Sequence, residues 1–164
     1  MKNDTLAFEE KICSPADLVH RVATLPAPRV FTNGCFDLLH RGHATCLAQA
    51  RAMGASLIVA LNSDASVKRL GKGEDRPINH LEDRLAVVAA LESVSLVTWF
   101  GEDTPLAAIL ACHPDILVKG GDWQPECIVG ATEVRNWGGR VYAIPFLHAQ
   151  STSALLRKIR GMGT

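Results

Sequence analysis

The sequence predicts one α/β domain built on an open, doubly wound parallel sheet of five strands. Three observations carry that prediction. Short apolar runs recur along the chain, and stretches of helical pattern lie between them. One run, Ser56 to Asn62 (SLIVALN), is almost continuously apolar, as a strand buried on both faces must be. No internal repeat, low-complexity tract or linker interrupts the 164 residues, a length that buries roughly 70% of the unfolded surface in a single core.

Residues 1–28 read as an N-terminal extension with a short helix. Ser14-Pro15-Ala16-Asp17 has the look of a helix start, and Leu25-Pro26-Ala27-Pro28 ends that helix beyond about Ala23. The core runs over 29–160. Arg29 to Asn33 is its first strand. Gly42 to Met53 is a helix stopped at Gly54, and Ser56 to Asn62 is the second strand. Residues Gly71 to Pro77 (GKGEDRP) form a polar loop. Then come a helix over Leu81 to Glu92, a strand over Leu96 to Phe100, a helix over Pro105 to Ala111 and a strand over Ile116 to Lys119. Pro125 to Asn136 reads as helical, Arg140 to Ile144 as the last strand, and Ser151 to Arg160 as the closing helix. Alternating strands and helices imply right-handed crossovers. In such sheets ligands sit beyond the carboxyl ends of the strands, where the strand order reverses.

Composition excludes several classes. The chain is 48% hydrophobic and 21% charged with a mean hydropathy of +0.11, which argues against disorder. Its 17 basic and 17 acidic residues cancel and the pI is near 7.0, so the basic excess of a general nucleic-acid binder is missing. The five cysteines are odd in number and contain no Cys-x-x-Cys pair, which points away from a disulfide framework or a zinc site. The opening MKNDTLAFEEK is too acidic for a signal peptide, and no run approaches the roughly 20 apolar residues of a membrane span. A cytoplasmic protein with no nucleic-acid or membrane partner is expected.

Two common phosphate motifs are absent: G-x-x-x-x-G-K-[ST], and G-x-G-x-x-G after the first strand. Gly71-Lys72-Gly73 is either a phosphate loop or a surface turn. The first strand leads instead into Thr32-Asn33-Gly34-Cys35-Phe36-Asp37-Leu38-Leu39-His40-Arg41-Gly42-His43. A polar cluster between a strand end and a helix start offers free N–H groups and a positive dipole, both suited to phosphate. His40 and His43 are three apart and can face one ligand from the first helical turn. Gly42 leaves room for close approach to the backbone. Nucleotidyl transfer needs positioning and donors aimed at oxygens that gain charge, and two imidazoles at a helix start supply such donors.

The segment Thr32 to His43 resembles the His-x-Gly-His motif of the cytidylyltransferase-like nucleotidyltransferases. Asn62-Ser63-Asp64, Lys119-Gly120-Gly121-Asp122-Trp123 and Ser151-Thr152-Ser153 resemble further motifs of that superfamily, in order, over about Arg29 to Ile159. The finer likeness is to the bacterial D-glycero-D-manno-heptose 1-phosphate adenylyltransferases. It is carried by Val59 to Leu70, Arg76-Pro77-Ile78-Asn79, Glu102-Asp103-Thr104-Pro105 and Leu117 to Asp122. The resemblance implies a Rossmann-like sheet of the nucleotidyltransferase type. It implies transfer of AMP from ATP to heptose 1-phosphate, giving ADP-heptose for the lipopolysaccharide inner core. It further implies Mg2+ arriving with ATP and no protein metal ligand, a homodimer, and a separate heptose kinase as functional partner.

By the same resemblance His40, His43 and Lys119 are catalytic. Thr32, Asn33, Gly34, Cys35, Phe36, His40, Gly42 and His43 bind nucleotide. So do Gly120, Asp122 and Trp123 around adenine and ribose, and Ser151, Thr152 and Ser153 at the β- and γ-phosphates. Asp37, Asn62, Asp64, Lys72, Arg76, Arg84 and Lys119 are assigned to the substrate. Plainer roles stand beside several of these: helix capping for Asp37 and for Ser151 to Ser153, core packing for Trp123, ion pairing for Arg84, and a solvated loop for Lys72 and Arg76. Arg157 is a surface candidate. A CTP-dependent enzyme acting on glycerol 3-phosphate is the alternative substrate reading, since Gly-Asp-Trp also occurs in those cytidylyltransferases. The segment Phe146-Leu147-His148-Ala149-Gln150 lacks the arginine found there in them. A nucleotide-binding module without turnover is the third reading.

Overall fold

The alternating apolar runs become five strands, β1 (Arg29–Gly34), β2 (Ser56–Asn62), β3 (Leu96–Phe100), β4 (Ile116–Gly120) and β5 (Arg140–Ile144). They form one sheet in the order β3-β2-β1-β4-β5, with every neighbouring pair parallel. The computed structural model describes residues 6–71, 73, 75–148 and 151–161. Its helices are α1 (Leu18–Ala23), α2 (Arg41–Arg51), α3 (Asp64–Arg69), α4 (Leu81–Ala89), α5 (Leu106–Cys112), α6 (Ala131–Asn136) and α7 (Thr152–Ile159). The chain runs outward from β1 through β2 to β3, then returns to β4 on the other side of β1. That reversal, between β1 and β4, is the switch point at which a ligand crevice opens.

Side chains alternate along each strand, so successive residues face different helix layers. Val30, Leu57, Val59, Leu61 and Val97 pack with Leu47 and Ala50 of α2 and with Leu85 and Val88 of α4. Phe31, Ile58, Ala60 and Leu96 pack with Leu18 and Val22 of α1, Ile109 and Cys112 of α5, and Val134 of α6. All seven residues of β2 are buried. Each large apolar side chain so covered contributes roughly 1.5–3 kcal/mol. The N-terminal extension covers the β3 edge: the Cys13 N–H donates to the Val97 carbonyl at 2.8 Å, and Ile12 bridges Val97. Among the described residues no helix is long and apolar enough to cross a membrane.

Three local expectations are corrected. The stretch Pro125 to Asn136 is not one helix; a 3-10 turn over Pro125–Cys127 is separated from α6 by Gly130, whose φ is +86°. The helix α1 starts at Leu18, later than Ser14 suggests; the Ser14 hydroxyl accepts from the Asp17 N–H at 3.3 Å and donates to the Asp17 carboxylate at 2.7 Å, closing a turn ahead of the helix. The residues after β2 form an additional helix, α3, capped where the Ser63 hydroxyl accepts from the Ser66 N–H at 3.2 Å.

Candidate active site

A cavity of about 580 Å³ opens beyond the carboxyl ends of β1 and β4. Strand β1 and the turn after it supply Thr32, Asn33, Gly34, Cys35, Phe36 and Asp37. Helix α2 supplies His40, His43, Cys46 and Leu47, and β4 with its following turn supplies Lys119, Gly120, Gly121 and Trp123. Arg76, Phe146 and Ser151 to Ser153 complete the wall. Among the described residues the lining holds two cations, Lys119 and Arg76, against one carboxylate, Asp37. With neutral imidazoles the wall is therefore formally cationic. The N-termini of α2 and α7 both meet it, so it suits a polyanion.

His40 is the N-cap of α2, the role that the sequence offered to Asp37. Its Nδ1 accepts from the Gly42 N–H at 3.1 Å. The neutral ring therefore carries its proton on Nε2 as a donor. His43 lies one turn further, with its ring stacked on His40 at 3.9 Å between centroids and tilted against Phe36 at 5.3 Å. Phe36 itself has φ +47°, a left-handed conformation rare for a bulky residue and concentrated at functional sites. Gly42 does not line the cavity. A Cβ there would stand 3.0 Å from the His40 ring, so this glycine makes room for the capping imidazole rather than for phosphate.

Burial lowers the His40 pKa below its ordinary value. The unfolded chain, titrating near ~6.5, then takes up the proton first as pH falls. Above that pH both states are neutral and the group adds no pH dependence. Below it stability is lost, until the folded pKa is passed. An NMR titration of the imidazole signals is expected to place the His40 midpoint below ~6.5; a midpoint above that value would contradict the Nδ1 acceptor role.

Lys119 stays at the wall through Asn33, donating to its carbonyl at 3.3 Å and to its Oδ1 at 3.2 Å. The Ser151 hydroxyl caps α7 by accepting from the Ala154 N–H at 3.1 Å, and the Thr152 hydroxyl donates to the Leu38 carbonyl at 3.3 Å. Capping and cavity lining thus hold together at α7.

Asp37 is 2% exposed and is occupied by the chain itself. Its carboxylate accepts from Arg76 Nε at 2.5 Å and from the N–H groups of Ile78 and Asn79 at 2.9 Å. The Asn79 side chain donates back to the Asp37 carbonyl at 2.7 Å. Asp37 therefore pins the segment 76–79 to the turn before α2 and holds Arg76 in the cavity wall.

Asn62, Asp64 and Arg84, read from the sequence as substrate contacts, do not line the cavity. Arg84 is 1% exposed and donates to the carbonyls of Asn79, Cys35 and Asn62 at 2.8–3.0 Å and to the Asp64 carboxylate at 2.6 Å. Burial alone would raise the Asp64 carboxyl, but hydrogen bonds from Arg84 and His80 outweigh it and hold the pKa below its ordinary value. The Asn62 side chain donates to the Ser66 hydroxyl at 3.0 Å. Asp122 lines a neighbouring cavity of about 470 Å³ that shares Gly121 and Trp123 with the first. Lys72 lies outside the described residues. Trp123 is not core; it is 49% exposed on the cavity wall.

Sequence reasoning missed Cys46, Leu47, Gly121 and Phe146 as lining residues. Two had a readable signal, because Cys46 and Leu47 follow His43 by three and four residues on one helix face. Phe146 follows the carboxyl end of β5, on the ligand side of the sheet.

The architecture, a parallel sheet whose switch point carries a His-x-Gly-His turn, defines a nucleotidyltransferase. The chain belongs to the cytidylyltransferase-like family, whose model matches residues 31–146. It is 56% identical over 155 residues to the D-beta-D-heptose 1-phosphate adenylyltransferase of Bordetella bronchiseptica, covering 93% of this chain and 96% of that one. It is 52% identical over 152 residues to the bifunctional protein HldE of Alkalilimnicola ehrlichii, with 91% of this chain covered but only 32% of that longer one. Among solved structures, the lipopolysaccharide core biosynthesis protein of Thermoplasma volcanium GSS1 superposes with a TM-score of 0.61 at 26% identity, over 74% of this chain and 98% of that one. The pantoate-beta-alanine ligase of Francisella tularensis, at 12% identity and a TM-score of 0.61, covers 87% of this chain and 68% of its own, and shares the fold alone.

Proposed function

We propose that the chain transfers AMP from ATP to D-glycero-D-manno-heptose 1-phosphate, releasing pyrophosphate and giving ADP-heptose for the lipopolysaccharide inner core. The stacked His40–His43 pair, set where two helix N-termini meet a cationic cavity, carries the reaction type. The acceptor follows from the Bordetella relative, which matches this chain over nearly its whole length.

An oxygen of the sugar phosphate attacks the α-phosphorus of ATP. As that bond forms, the bond from the α-phosphorus to the bridging oxygen breaks, and pyrophosphate leaves with the electron pair. The attacking phosphate is already ionised, so no general base is required. His40 Nε2–H and His43 donate to the α-phosphate oxygens that gain charge, the role of preorganised donors in a site shielded from water. Lys119 and Arg76 offset the charge of the reacting phosphates, and Ser151, Thr152 and Ser153 bind the β- and γ-phosphates at the α7 N-terminus. Mg2+ arriving with ATP would be held by phosphates and water rather than by a protein carboxylate, and would neutralise part of the phosphate charge. The residues present fit that mode, because the Asp37 oxygens are filled by protein donors. Within the same reading the protein is cytoplasmic and homodimeric, with a separate heptose kinase as functional partner.

The test is a pyrophosphate-release panel. ATP with heptose 1-phosphate is expected to be the turned-over pair. Preference for CTP with glycerol 3-phosphate would replace the substrates and keep the chemistry, while tight ATP binding without release from any acceptor would leave only a binding module.

A further inference from the structure

We propose that Phe146 is the platform on which the nucleotide base stacks, and that it selects a purine over a pyrimidine; this rests on the nucleotidyl-transfer reading of the same cavity. The cavity has two chemically different ends. Histidines and hydroxyls gather where α2 and α7 begin, whereas two aromatic rings converge on Gly121. A Cβ built on Gly121 would lie 3.1 Å from Trp123 Nε1 and 3.5 Å from Phe146 Cε2. Both residues are 49% exposed while lining the cavity, and because Lys119 Nζ lies over the Trp123 ring, 6.0 Å from its centroid, Phe146 is the ring left to receive a base.

The seating of Phe146 is fixed by the backbone. Gly120 pairs in register with Ile144, and the Gly121 N–H donates to the Ile144 carbonyl at 2.8 Å, two residues before the ring. A Cβ on Gly120 would meet Cys46 Sγ at 2.8 Å and the Phe146 ring at 3.1 Å. Gly121 has φ +117°, which a side chain would strain. The paired glycines thus leave a flat floor on which the far edge of the phenyl ring rests. Cys46 Sγ and the Trp123 indole stand at the same two glycines. The segment 146–148 contains no arginine to donate to a pyrimidine carbonyl. Recognition by stacking grows with ring area, so the two-ring base gains more than the one-ring base.

The experiment is isothermal titration of wild type, Phe146→Ala and Phe146→Tyr with ATP, CTP and inorganic tripolyphosphate. Wild type is expected to favour ATP over CTP. Phe146→Ala should weaken ATP by about tenfold and CTP by clearly less, so that the preference shrinks. Tripolyphosphate affinity should stay unchanged, and Phe146→Tyr should keep the wild-type ratio. An unchanged ATP to CTP ratio in Phe146→Ala would overturn the assignment. So would an equal loss for ATP and tripolyphosphate, which would make the ring a prop for the phosphate end. Failure of wild type to release pyrophosphate with heptose 1-phosphate would defeat the acceptor reading alone and leave the base ratio standing.

Discussion

Replacing His43 with alanine is expected to lower kcat by about 10²–10³-fold, the cost of one preorganised donor removed from such a site. The KM for ATP should change much less, because the contacts proposed for the triphosphate at α7 and Arg76 are untouched. Thermal unfolding should stay close to wild type. His43 lies in the first turn of α2 but does not cap it; the capping bond runs between His40 Nδ1 and the Gly42 N–H. His40→Ala should therefore show a different pattern: a comparable loss of kcat together with about 1 kcal/mol of stability from the missing cap. The pair of variants separates chemistry from folding at two histidines whose rings touch. Steady-state kinetics with parallel denaturation curves reads both. A kcat for His43→Ala within threefold of wild type would remove the central donor from the mechanism.

Arg84→Ala is expected to cost about 3–5 kcal/mol of stability, the range for breaking a buried charge from its partners. The guanidinium joins four segments: the turn after β1 through Cys35, the end of β2 through Asn62, the start of α3 through Asp64, and the approach to α4 through Asn79. Its loss strands three carbonyls near the base of the site and leaves the Asp64 carboxylate with His80 alone. Arg84→Lys should recover only part, since a single ammonium cannot reproduce a planar fork with donors in fixed directions. Urea denaturation measures the difference. Wild-type stability in Arg84→Ala with a raised KM for the acceptor would return this residue to the substrate.

The sheet was legible because its signal is local and strong. The run from Ser56 to Asn62 has the length and β-branched, apolar character of a strand buried on both faces, and the five apolar segments lie where the sequence puts them. Helix ends were less legible where one residue decides them. Gly130, inside a stretch of helical character, breaks it by its conformation, and no periodicity reveals that. In the site, the His40–His43 pair was readable because both residues belong to one turn. The cations were not separable by sequence. Arg76 and Arg84 lie eight residues apart in one polar segment, yet Asp37 turns the first into the cavity while the carbonyls of Cys35 and Asn62 take the second into the core. That division depends on contacts between residues more than twenty positions apart. Asp37 shows the same limit. A carboxylate three residues before His40 invites a capping or substrate role, and only the folded segment 76–79 reveals that its oxygens are filled.

The most direct measurement of the transfer itself follows the α-phosphorus. With ATP labelled at that atom and heptose 1-phosphate as acceptor, the label is expected in a sugar nucleotide and the pyrophosphate is expected to be unlabelled. Label remaining in ATP while labelled CTP delivers its α-phosphorus to an acceptor would contradict the assignment of ATP as donor.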